Sequence, residues 1–127
     1  MHLGVDTMGL PNAIHVTTAN VTDRDGALEM LAKYAPKLYS ILKVLCDGGY
    51  TGDNFANAVM ELINAVVEVA KRDQLHKFEV IPKRWIVERS LAWLDHCRRL
   101  WKNGERLLHT THQMVSLAFI SLLLKRY

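Results

Sequence analysis

The run VLCDGGYTG, residues 44–52, places an acid, Asp47, where an apolar stretch gives way to two glycines. A carboxylate at the end of a buried strand is costly unless it is hydrogen-bonded or bound to a cation. Asp47 can be read as a turn residue whose glycines supply positive φ. It can equally be read as a metal-binding carboxylate, with the glycines letting backbone or ligand approach closely. A second acid, Glu88, lies in RWIVERSLAWLDHCRRL, residues 84–100, between Arg84 and Arg89. A helix packed across a sheet could bring Glu88 alongside Asp47. Paired carboxylates suit Mg²⁺, which takes hard oxygen ligands and completes its octahedron with waters and phosphate oxygens. Two such ions can serve an in-line phosphoryl displacement. The arginines are suited to holding phosphates nearby. The bland reading of Glu88 is an i, i+4 surface pair with Arg84.

The elements that must position these acids follow from pattern. HLGVD, TMGLP and NAIHVTTAN read as a strand, a Gly/Pro turn and a β-branched strand, hence an antiparallel hairpin. VTDRDGALEMLAKYAP reads as a helix capped near Asp23 or Asp25 and ended at Pro36, with Leu28, Leu31 and Ala32 inward. ILKVLCD is a short strand of a sheet covered on both faces. TGDNFANAVMELIN is a helix with Phe55, Val59 and Leu62 inward, AVVEVAKR another strand, and KFEVIP a short extended segment. From Arg84 to about Leu100, Ile86, Val87, Ser90, Leu91, Trp93, Leu94, Cys97 and Leu100 form a wide apolar stripe. Arg84, Glu88, Asp95, Arg99 and Lys102 occupy the opposite side. WKNGERLLH reads as a loop. THQMVSLAFISLLLKRY is a last helix, apolar nearly all round yet too short to span a bilayer, so a buried helix or a subunit contact. Strands alternating with helices imply an α/β domain of mixed sheet.

The 127 residues suffice for one domain with a modest core. Half are apolar and 23% charged, a globular balance and not a disordered one. Cys46 and Cys97 make no disulfide framework and read as buried free thiols in a reducing cytoplasm, and the start lacks a signal-peptide pattern. The net charge of +3 is unevenly spread. Residues 1–70 hold 4 Lys/Arg against 8 Asp/Glu, a net of −4, and residues 71–127 hold 12 against 5, a net of +7. That split fits an acidic site beside a surface for a polyanion, or simply a basic solvated helix.

The strings CDGGYTG and RWIVERSLAWLDHCRRL resemble the second and third acidic blocks of a DDE transposase, in the branch of bacterial insertion sequences four and five. The opening HLGVDTMGLPNAIHVTTANVTDRDGA resembles a segment common in that group, so the likeness covers essentially the whole chain. It implies an RNase H-like fold, Mg²⁺- or Mn²⁺-dependent cleavage at transposon ends with two ions in the complete site, and joining to target DNA. By resemblance Asp47 matches the second acid and Glu88 the third. The third block is often Y-x2-R-x3-E-x6-K; Arg84 and Glu88 fit, whereas Ile81 and Asp95 stand at the tyrosine and lysine positions. Arg98 and Arg99, about one turn on, are candidates to replace the lysine at a DNA phosphate.

In the family the first acid and the first, central strand precede the segment resembling HLGVDTMGLP. The chain therefore reads as residues 1–127 of a C-terminal part of the catalytic domain, without the first central strand and inactive alone. Asp6 is the tempting substitute, but its setting before TMGLP reads better as a hairpin turn. The expected DNA contacts are Arg84, Arg89, Arg98, Arg99 and Lys102. The expected partners are transposon-end and target DNA, with a second copy or an N-terminal transposase part, in the bacterial cytoplasm at the nucleoid and with no membrane. The rival readings are a non-catalytic DNA-binding or regulatory fragment and a decayed remnant. His109 and His112 read as capping or surface residues, since nothing nearby completes a ligand set. Trp93 reads as helix packing and Trp101 as a candidate base-stacking residue. Thr22, Asp23, Arg24 and Asp25 resemble a recurring family string but are explained by a helix start.

Overall fold

The computed structural model describes residues 1–70, 84–97 and 106–126. It is an α/β protein of four strands and four helices among the described residues. They fall into two compact units, one built from Met1–Thr18 with Lys83–Tyr127, the other from Ala19–Pro82.

In the first unit β1 (His2–Val5) pairs antiparallel with β2 (Pro11–His15), the expected hairpin. Asp6 organises the turn between them. Its Oδ1 accepts from the amides of Met8 at 2.8 Å and Leu10 at 3.0 Å, and its carbonyl accepts from Gly9. Gly9 takes φ +83°, a conformation glycine adopts without penalty. Helix α3 (Arg84–Asp95) buries Ile86, Ser90 and Leu94, an i, i+4, i+8 line. Val87 and Leu91 are more than a third exposed, so the stripe is narrower than its sequence suggests. Helix α4 (Leu108–Arg126) starts before the expected boundary and buries Thr111, Val115 and Phe119. Val115 and Phe119 pack with Ile14 and Leu94 into one core. Leu117, Ile120 and Leu124 lie on the exposed side, so α4 is amphipathic in burial though not in composition.

In the second unit Thr22 caps α1 (Asp23–Tyr34), its Oγ1 accepting from the Asp25 amide at 3.2 Å and donating to the Asp25 carboxylate at 2.7 Å. The buried face is Gly26, Ala27, Met30 and Leu31. Ala32, expected inward, is exposed, because the face is centred one position earlier than the Leu-rich pattern implies. Strand β3 (Lys43–Cys46) pairs parallel with β4 (Val66–Val69), the connection running through α2 (Asp53–Ile63). Gly52, at φ +117°, precedes α2, and Asn64 in the left-handed region ends it by donating its amide to the Met60 carbonyl. Phe55, Val59 and Ile63 face inward, with Leu62 only partly buried. They pack with Ala27, Leu31, Leu38 and Ala65 and with Val44, Cys46 and Val67 of the sheet.

The expectation of a sheet covered on both faces is not met among the described residues. Lys43, Leu45, Val66 and Glu68 form the exposed face, and Lys43 Nζ meets Glu68 at 2.7 Å. Nor do the described strands join in one mixed sheet. They form an antiparallel pair and a parallel pair. No described helix is long and apolar enough to cross a membrane.

Candidate functional site

Strand β3 delivers Asp47 to the surface. The strand ends at Cys46, Asp47 follows, and Gly48–Tyr50 make one tight helical turn. Asp47 caps that turn, its Oδ1 accepting from the Gly49 amide at 3.0 Å. The carboxylate is exposed, and Oδ2 meets no donor among the described residues. Asp47 is therefore both a turn residue and an available oxygen ligand; the two readings of the sequence are compatible.

Around it the electrostatics are acidic. Burial, and then the Asp47 carboxylate, push the Cys46 thiol up to about 11. Burial likewise raises the Tyr50 hydroxyl, followed by the charges of Asp23, Asp47 and Cys46. Asp23 thus acts on the same hydroxyl as Asp47, although the sequence assigned it only to a helix start. Arg24, which the sequence likewise assigned to a helix start, has a second task. Its Nε donates to the Gly49 carbonyl at 3.0 Å and ties the start of α1 to the turn carrying Asp47. An open pocket of about 410 Å³ lies between Arg24, Asp25, Thr51, Gly52, Asp53 and Phe55, with Asp47 outside its lining.

Glu88 belongs to the first unit and Asp47 to the second. Glu88 is exposed on α3, two residues from fully buried Ser90 and so on the outward side of the helix. Arg84 opens the same helix. Arg89 is half-buried, with its guanidinium carbon 4.6 Å from the Trp85 ring centre and 4.9 Å from that of Trp93. Arg98, Arg99, Lys102 and Trp101, together with the KFEVIP segment and Ile81, lie outside the described residues. His112 ties α4 to β2 through Nε2 and the Ile14 carbonyl at 3.0 Å, and His109 is exposed. Cys46 and Cys97 are both free and half-buried. Among the described residues no three His, Cys, Asp or Glu side chains gather as a ready metal cage. An exposed carboxylate such as that of Asp47 is a hard oxygen donor of the kind Mg²⁺ takes together with waters and substrate phosphates.

The family model of the transposase DDE domain matches residues 1–124. The chain belongs to the DDE transposase family. Within the family, a Burkholderia cepacia protein named as a transposase for insertion sequence element IS402 is 34% identical over 113 residues. That match takes in 83% of this chain and 53% of the relative, so the DDE transposase chain described here spans about half the relative's length. No solved structure matches it significantly.

Proposed function

We propose that the chain serves DNA transposition, contributing Asp47 and Glu88 as two metal-binding carboxylates of an RNase H-like catalytic domain. The observation that carries this reading is the placement of Asp47. In a chain matched to the transposase DDE domain over nearly its full length, this acid stands at the exit of a strand. There it is exposed, with one oxygen spent on the backbone and the other without a donor among the described residues. Glu88 supports it as an outward carboxylate on the helix that carries the Arg84-x3-Glu88 block.

Asp47 and Glu88 would hold Mg²⁺ or Mn²⁺; bound there, the metal would activate an attacking oxygen and stabilise a leaving one in phosphoryl transfer. The protein's own part is to present hard oxygen donors in fixed directions. Gly49 holds the Asp47 carboxylate by its amide, and Arg24 holds Gly49 by its carbonyl. The basic residues Arg84, Arg98, Arg99 and Lys102 would neutralise DNA phosphates, a sequence-independent attraction that salt weakens steeply. The chemistry of an arginine beside Glu88 groups Arg89 with them, but its surroundings suggest a different task.

Duplex DNA carrying insertion-element ends, titrated with the chain in Mn²⁺, tests the proposal. Asp47→Ala and Glu88→Ala should remove the metal-dependent part of binding and leave the salt-dependent part. Charge reversal at Arg98, Arg99 and Lys102 should remove the latter. Metal-dependent binding that survives both alanine substitutions would overturn the assignment of the two acids.

A further inference from the structure

We propose that Arg89 and Ser90 are positioning residues for Glu88, bolting the Asp6–Leu10 turn to α3 and so fixing the rotation of that helix about its axis. The inference rests on the assignment of Glu88 as a metal-binding acid for its consequence, and on the geometry below for the clasp itself.

The turn is built to offer carbonyls. Asp6 accepts the amides of Met8, Gly9 and Leu10 through its side chain and carbonyl, which leaves the Met8 and Gly9 carbonyls to partners outside the turn. Both find them on α3. Arg89 Nη2 donates to the Met8 carbonyl at 2.7 Å, and Ser90 Oγ lies 2.8 Å from the Gly9 carbonyl, sharing its proton with the Ile86 carbonyl at 3.0 Å. Ser90 is fully buried, so no water substitutes for these acceptors. Gly9 permits the approach. A Cβ there would stand 2.9 Å from Ser90 Oγ and 3.0 Å from Arg89 Nη2.

The guanidinium is held against its own unit, half-buried, with its bond to Met8 at the surface. Trp85 and Trp93, one turn to either side on α3, flank it at cation–π distance. Its Nε is buried and meets no acceptor among the described residues. The Met8 carbonyl thus already engages one nitrogen of the fork that a phosphate would use. The planar ion between two rings, with one nitrogen on a carbonyl, is a packing arrangement that a lysine ammonium does not reproduce.

Consecutive helical residues are about 100° apart, so Glu88 lies about 160° around the axis from Ser90. Two attachments at adjacent residues, to carbonyls of adjacent turn residues, hold that angle more tightly than apolar packing alone. Loosening by roughly 20° would swing a side-chain end about 2 Å at the helix's outer radius. Mg²⁺ demands near-ideal geometry at about 2.0–2.1 Å, so such a swing matters.

Nuclear magnetic resonance on Arg89→Lys, Ser90→Ala and Glu88→Gln separates the possibilities. Residual dipolar couplings of the α3 amides, referred to those of the hairpin, report helix rotation without any metal. Amide exchange at Met8–Leu10 reports the clasp. Arg89→Lys keeps charge and helix content, yet should speed that exchange about tenfold or more and shift or average the α3 couplings, as should Ser90→Ala. Glu88→Gln should leave both unchanged and abolish Mn²⁺ broadening at residue 88. Wild-type couplings and exchange in Arg89→Lys would overturn the clasp. Unchanged Mn²⁺ broadening in Glu88→Gln would overturn only the metal assignment.

Discussion

Gly9→Ala should destabilise the unit containing the hairpin by about 2–4 kcal/mol, although the added methyl is the smallest side chain available. Two costs combine. A non-glycine residue held at φ +83° pays about 1–2 kcal/mol for the left-handed conformation. The new Cβ would also sit 2.9 Å from Ser90 Oγ, a fully buried atom that cannot swing into water, so its bond to the Gly9 carbonyl lengthens or breaks. That loss is worth about 1 kcal/mol. Arg89 Nη2, at 3.0 Å from the Cβ, is the end of a flexible side chain and yields more cheaply, though its charged bond to Met8 is worth about 1.5–3 kcal/mol if lost. Gly48→Ala is the control, because a Cβ there meets nothing within 4 Å and the backbone is not left-handed. It should change stability by less than about 0.5 kcal/mol. Urea unfolding followed by far-ultraviolet circular dichroism suits the comparison, since Gly9 and Gly48 lie in different units and both units contain helices. Equal stabilities for the two variants would refute the close approach of turn and helix.

Four further outcomes follow from the same contacts. Cys46, in a Cys97→Ser background, should react with iodoacetamide along a titration centred near pH 11, and Asp47→Asn should lower that midpoint. Because burial raises this thiol above its ordinary value of 9.0, its contribution to stability is present below pH 9 and is lost as pH rises towards 11. Thr22→Ala should cost about 1 kcal/mol through loss of the α1 cap, measured by thermal unfolding. Phe55→Ala, at a core position 4% exposed, should cost about 3–5 kcal/mol in urea unfolding. Arg24→Met should speed amide exchange at Gly49 and Tyr50 while leaving the hairpin amides unchanged, as the Arg24 bond reaches only the Asp47 turn.

Local chemistry made part of the site legible. An acid followed by two glycines after an apolar run does form a capped turn at a strand end. The outward face of α3 follows from spacing alone, with Glu88 and Asp95 exposed opposite buried Ile86, Ser90 and Leu94. Asp6 behaves as its setting before TMGLP implies, organising the turn. What sequence pattern hid were contacts between distant segments. Ser90 resembled a small filler in an apolar stripe, yet its hydroxyl reaches the Gly9 carbonyl 81 positions away. Arg89 resembled a phosphate contact because charge pattern carries no sign of the two tryptophans folding over it. Arg24 was explained by a helix start, and nothing local reveals its bond to Gly49 across 25 positions. The misplaced face of α1 has a simpler cause. Gly26 and Ala27 are small enough to pack closely, so burial favours them over Ala32 despite the leucines around it.

Calorimetric titration of Mn²⁺ into the folded chain, repeated with Asp47→Ala and Glu88→Ala, bears most directly on the assignment of the two acids. The metal reading requires binding in the parent protein that each substitution removes, because that reading gives the metal both carboxylates. Binding that persists unchanged in either variant would contradict it.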